Sequence, residues 1–135
     1  MSNRRDFLKA SLAVAAGASA GNITIASAAS GALPVGVIYT KENPGKWAKK
    51  VKSHLPVVTI DGGRVTVETK HGMSEKHFIV RHTIVAENGE VLGEKTFYPS
   101  DEEAKSVFEL PAGKTALYAT SFCNKHDMWV ATIPA

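Results

Sequence analysis

From residue 55 onward the sequence is cut into short β-rich runs by closely spaced turn signals, and that rhythm constrains the fold more than any other feature. Leu55–Ile60 stops at Asp61-Gly62-Gly63. Arg64–Thr69 alternates, with Val65 and Val67 on one face and Arg64, Thr66 and Glu68 on the other. His77–Ala86 runs into Asn88-Gly89, a tight hairpin signal, and Glu90–Tyr98 follows as its partner. Ser106–Leu110 stops at Pro111-Ala112-Gly113, and Lys114–Phe122 and Met128–Ile133 complete the set. Lys46–Lys52 reads as one helical turn or a loop, and Asp101–Lys105 as a brief helical interlude. About seven short strands at this spacing predict an all-β, antiparallel sandwich. The chain has one cysteine, Cys123, so no intramolecular disulfide braces it. Two sheets must close around Val, Ile, Leu and Phe faces instead.

The first residues belong to a different kind of segment. Arg4-Arg5 stands before Phe7-Leu8-Lys9, an apolar Ala-rich stretch follows to about Ala20, and Ala26-Ser27-Ala28 fits a small-residue cleavage site. This is a twin-arginine export signature, which places the protein in the periplasm. The apolar run is short and interrupted by Gly17, Gly21 and Asn22, which argues against a membrane helix. The expected organisation is a signal peptide over 1–28, a flexible Gly-, Pro- and Ala-rich lead-in over 29–45, and one folded domain over 46–135. The 135-residue chain carries a formal charge of +3. Three cations outnumber one acid within residues 1–28, so the mature chain is at +1. A chain so near neutrality gives no basis for nucleic-acid binding.

Five histidines and the single cysteine carry the chemical signal. His54 opens a strand, and His71 and His77 stand at the two ends of a loop containing Gly72-Met73-Ser74. His126 lies three residues after Cys123, so a turn between strands can aim a thiolate and an imidazole at one point. Taken alone, Cys-x-x-His is as readily structural as metal-binding, and any single histidine is more readily a surface or hydrogen-bonded core residue. Their gathering at loop–strand junctions favours a metal. A blue-copper electron carrier would use two histidines, Cys123 and Met128. It leaves the His71/His77 loop without a role. Four histidines and a thiolate exceed the tetrahedral set that zinc prefers.

Three stretches together are similar to the superoxide reductases, the neelaredoxin and desulfoferrodoxin group. They are Lys52-Ser53-His54-Leu55-Pro56-Val57-Val58, then His71 through His77-Phe78-Ile79, then Leu117-Tyr118-Ala119-Thr120-Ser121-Phe122-Cys123-Asn124-Lys125-His126-Asp127-Met128-Trp129. The match spans roughly residues 44–135. The resemblance implies an immunoglobulin-like sandwich holding one iron ion (Fe2+/Fe3+) per chain. It implies His54, His71, His77 and His126 as equatorial imidazoles, Cys123 as axial thiolate, and an open sixth position. His82 matches no ligand position and reads as structural. One cysteine excludes the extra four-cysteine iron module found in many desulfoferrodoxins.

The implied reaction is one-electron reduction of superoxide to hydrogen peroxide. The electron comes from a donor protein such as a rubredoxin-like or cytochrome carrier, and the family commonly forms dimers or tetramers. The usual Glu-Lys-His before the first ligand is replaced here by Lys52-Ser53-His54. The glutamate that can cap ferric iron is therefore missing. Lys52 is the expected substitute for the cation that attracts superoxide. A family-like domain that binds iron with weak turnover is the further alternative that this departure raises.

Overall fold

The computed structural model describes residues 36–134, so the export signal lies outside the described residues. Eight strands form two sheets. They are β1 (Ile38–Tyr39), β2 (Val57–Asp61), β3 (Arg64–Thr69), β4 (Ile79–Val85), β5 (Val91–Thr96), β6 (Ala104–Glu109), β7 (Tyr118–Cys123) and β8 (Asp127–Thr132). One sheet has the order β1-β8-β7-β4-β5 and the other β2-β3-β6. All pairings are antiparallel except β1 with β8. The expected two-sheet sandwich is therefore the fold, with one more strand than the turn signals predict.

The added strand is β1. It lies within the segment expected to be a lead-in, where Tyr39 is buried and packs on Trp129 with ring centroids 5.6 Å apart. Between β1 and β2 runs a helical arm: a 3-10 segment, Gly45–Lys50, followed by one turn of α-helix, α1 (Val51–His54). The arm stops at Leu55, which is extended (φ −66°, ψ 124°) because the following Pro56 disfavours the helical conformation there. The helical interlude expected at Asp101–Lys105 does not form. β6 begins at Ala104, and the buried Ala104, Ser106 and Phe108 alternate with exposed neighbours in a strand period that small and polar side chains disguise.

The core has two apolar layers with a polar layer between them. One apolar layer holds Val65, Val67, Ile84, Phe108, Ala119 and their neighbours, and the other Ile79, Phe97, Ala104 and Cys123. Between them lie the buried residues Thr69, His82, Ser106 and Ser121, drawn from both sheets. On β6 and β7 the polar residue stands two positions from a member of each layer. On β4 the spacing from Ile79 to His82 is three, and both are buried. An irregularity in the β4–β7 register between Ile79 and Arg81 absorbs the extra residue and returns both side chains to the inner face. Gly93 on β5 leaves room for the Phe108 ring, since a Cβ there would lie 2.6 Å from Phe108 Cδ1.

Candidate metal centre

Three segments converge beside the second apolar layer. The arm brings His54, the connection from β3 to β4 brings His71 and His77, and the turn from β7 to β8 brings Cys123 and His126. Each is held by its own chain neighbours. His54 Nδ1 lies 2.8 Å from Ser53 Oγ and 3.3 Å from the Lys50 carbonyl. The His71 amide donates to the Thr69 carbonyl at 2.7 Å. Ser74 and His77 exchange backbone hydrogen bonds at 3.0 and 3.1 Å, which closes the loop so that His77 turns inward. Asn124, inside the Cys-x-x-His turn, accepts the Phe78 amide at 3.0 Å and donates to the Lys76 carbonyl at 3.2 Å, locking that turn to the His77 segment. The Trp129 indole donates to the His126 carbonyl at 3.0 Å.

The donor atoms form a ring. His54 Nε2 is 2.9 Å from His126 Nδ1, His126 Nδ1 is 3.0 Å from His77 Nε2, and His77 Nε2 is 3.0 Å from His71 Nε2. Edge-on contact between the His71 and His54 rings, with centroids 4.6 Å apart, closes the circuit. Cys123 Sγ stands 3.2 Å from the His77 nitrogen, 3.5 Å from that of His126 and 3.9 Å from that of His71. All five donor atoms lie within 4.8 Å of one another. His77 Nε2 offers one lone pair or one N–H to three such neighbours, so protons cannot satisfy them all, whereas a cation among them can. The three measured edges, 2.9–3.0 Å, are the separation of neighbouring nitrogens that each lie about 2.1 Å from a common centre at right angles, the ordinary distance from a first-row metal ion to an imidazole nitrogen. The donor set therefore fits one metal ion, with the thiolate facing the ring of imidazoles. Two-histidine copper geometry does not use this ring.

The electrostatics suit neutral imidazoles. Burial, reinforced by the neighbouring His71 and His126, lowers His54 to about 4. Burial also lowers His71, His77 and His126. The Lys50 ammonium works in the same direction on all three, and Lys125 on the last two. Burial pushes the Cys123 thiol up, so its ionisation has to be offset by a bound cation. Cys123 is fully buried and His54 nearly so, while His71, His77 and His126 are half-buried.

A hollow of about 360 Å³ reaches the ring and is lined by Lys50, His54, His71, Met73 and His77, with Ser53 beside His54. Neither Cys123 nor His126 lines it, so the hollow reaches the donor group past His54, His71 and His77. Lys52 is exposed and does not line it either. The donor group contains no carboxylate. His82 stands apart, inside the polar layer.

A family model described as desulfoferrodoxin matches residues 46–132. The chain belongs to the desulfoferrodoxin family. A second model, for the twin-arginine translocation signal sequence, matches residues 1–21, in agreement with the Arg4-Arg5 signature. Among solved structures, the neelaredoxin-type superoxide reductase of Ignicoccus hospitalis is 26% identical with a TM-score of 0.58, over 70% of this chain and 89% of that one. The superoxide reductase of Treponema pallidum is 27% identical with a TM-score of 0.54, over 61% of this chain and 68% of that one. The one-iron superoxide reductase of Giardia intestinalis, 21% identical, shares the fold at a TM-score of 0.54, over 62% of this chain and 99% of that one. No curated protein sequence matches. Within this desulfoferrodoxin domain, sequence reasoning did not single out Asn124, Trp47 or Asp127, and it placed Lys50 among six lysines near the ligand positions (Lys49, Lys50, Lys52, Lys70, Lys76 and Lys125) while preferring Lys52. Lys50 carried a signal: it precedes His54 by four residues, one helical turn.

Proposed function

We propose that His54, His71, His77, His126 and Cys123 hold one iron ion and that the protein reduces superoxide to hydrogen peroxide. The observation that carries this reading is the convergence of four imidazole nitrogens and a buried cysteine sulfur within 4.8 Å, with an open hollow reaching His54, His71 and His77. Bound there, iron supplies a one-electron change between Fe2+ and Fe3+. The chain's own residues do the rest. The four imidazoles are kept neutral by burial, so their lone pairs are available at neutral pH. The Cys123 side chain is shielded from solvent. The hollow admits a small anion, and the Lys50 ammonium at its wall attracts one. Lys52, the cation expected from sequence to serve this purpose, points from the exposed part of α1 and contributes at longer range.

Superoxide takes up one electron and two protons and leaves as hydrogen peroxide. A donor protein, rubredoxin-like or a cytochrome, returns the electron. The proposal extends to a protein exported folded to the periplasm, cleaved near Ala28, and assembled as a dimer or tetramer.

The test joins metal analysis to superoxide kinetics. One iron per chain, a ferric–thiolate band and one peroxide formed per superoxide are expected. Copper with an intense blue band would establish an electron carrier instead, and iron without rapid superoxide consumption a domain with weak turnover. Lys50→Ala is expected to lower the superoxide rate constant about tenfold at low ionic strength, and less at high salt where the field is screened. Lys52→Ala is expected to have the smaller effect. The reverse ranking would return the steering role to Lys52.

A further inference from the structure

We propose that Trp47 and Asp127 form a clasp that positions His126 and docks the helical arm on the β7–β8 turn, so that the His54 and His126 donors stand together before metal arrives. The inference rests on the reading of these histidines as metal donors. Trp47 belongs to the arm that ends in His54, and Asp127 directly follows His126. The Trp47 indole Nε1 donates to Asp127 Oδ2 at 2.9 Å, across 80 residues of sequence. The Lys46 ammonium lies 3.5 Å from the same oxygen. The Trp47 ring meets the His126 imidazole edge-on, with centroids 4.6 Å apart and planes at 88°. One indole thus fixes both the ring of His126 and the carboxylate next to it.

The backbone at both residues departs from regular geometry. Trp47 breaks the helical conformation inside its own segment (φ −100°, ψ 21°). Asp127 has a φ of 65°, the only positive value among non-glycine residues of the described chain. Aspartate tolerates that region better than most residues, but glycine would meet it with less strain. What the turn gains from aspartate is the carboxylate that Trp47 and Lys46 grip. The hydrogen bond from Trp47 is also the first reason that the Asp127 carboxyl lies below its ordinary value. The clasp adds to the link between the arm and the β7–β8 turn that His54 Nε2 and His126 Nδ1 make at 2.9 Å, and unlike that link it does not use the proposed donor atoms.

Titration of the metal-free protein with cobalt(II), followed by its thiolate charge-transfer and ligand-field bands, tests the clasp. Asp127→Ala is expected to weaken cobalt binding by about 10–100-fold and to alter the ligand-field bands, as loss of a group that orients a ligand does. Asp127→Asn keeps an acceptor for the indole and tolerates positive φ, so it is expected to restore both affinity and spectrum. Should Asp127→Ala fail to fold, Trp47→Phe, which keeps a ring but no N–H, is expected to lose about tenfold in affinity. Wild-type affinity and spectrum in whichever of these two variants folds would overturn the clasp. A wild-type protein that binds cobalt without a thiolate band would overturn the metal reading beneath it instead.

Discussion

His54 and His82 are alike in burial and in basicity and differ in what their nitrogens meet. Both are buried, at 2% and 0% exposure, and burial lowers both to about 4. His82 is complete. Its Nδ1 lies 2.9 Å from Ser106 Oγ and its Nε2 2.9 Å from Thr69 Oγ1, and Thr69 is joined in turn to Ser121 at 2.7 Å. A neutral imidazole needs one donor and one acceptor, and hydroxyls can serve as either. His54 is held differently: Nδ1 faces Ser53 and a carbonyl, whereas Nε2 lies 2.9 Å from another imidazole nitrogen, His126 Nδ1, which itself faces His77. Burial and low basicity therefore do not mark a metal ligand. What sets His54 apart is a buried nitrogen turned toward the other four proposed metal donors, all within 4.8 Å of one another.

The comparison breaks most visibly at His77, whose Nε2 is within 3.2 Å of three other donors. His77→Ala is expected to weaken metal binding by more than about 100-fold, beyond what loss of an orienting neighbour costs. His82→Leu is expected to leave metal stoichiometry unchanged. Metal content after dialysis against a chelator distinguishes them, and comparable losses in both would erase the distinction.

Acid sharpens it next. The unfolded chain binds a proton on His82 near its ordinary value of 6.5, whereas the folded protein does so only near 4. Between those values the unfolded state holds more protons, so stability falls as pH drops from about 6.5 to about 4 and then levels off for this group. The full span is roughly 3 kcal/mol. The Lys95 ammonium adds to the penalty for charging His82. In denaturant melts of metal-free protein, His82→Leu should remove the His82 share of the acid slope and leave the share of His54, held equally low, and of the other lowered histidines. At neutral pH the same variant is expected to cost about 2 kcal/mol, because Ser106 loses its partner and Thr69 keeps only Ser121. An unchanged acid slope would mean that His82 is charged or exchanges with solvent in the fold.

The sandwich was legible because turn residues and valine alternation are local signals, and the donor residues were legible because their types and order are distinctive. Contacts set by pitch and by chain crossing were not. Lys50 lines the hollow and Lys52 does not, a choice that depends on Val51–His54 being helical. A segment left between helical turn and loop offers no pitch by which to choose. β1 is two residues long, too short to show any period, and is held by Tyr39 against Trp129. Asn124 looks like an ordinary turn residue, and its stitching of Phe78 and Lys76 appears only once β4 and β7 are paired. The polar layer is hidden because Thr69, Ser106 and Ser121 resemble exposed strand residues until both sheets close over them.

Ser53 tests the comparison at its finest point, since it stands to His54 as Ser106 stands to His82. Each hydroxyl meets the Nδ1 of a buried imidazole, at 2.8 and 2.9 Å. In the polar layer the hydroxyl completes a hydrogen-bonded chain. At the metal centre it helps fix the tautomer and direction of a ring whose other nitrogen is a donor. The Lys50 carbonyl, 3.3 Å from the same Nδ1, shares that task. It accepts only the N–H tautomer, the one that leaves Nε2 free to bind metal. Ser53→Ala is therefore expected to lower metal affinity by about tenfold, at the low end of the range expected for loss of the clasp, and to leave thermal stability of the metal-free protein nearly unchanged. Ser106→Ala should do the reverse, lowering stability by about 1 kcal/mol with metal affinity intact. Equal effects of the two substitutions on both measurements would mean that the polar layer and the metal centre are coupled through β3, whose end carries Thr69 two residues before His71.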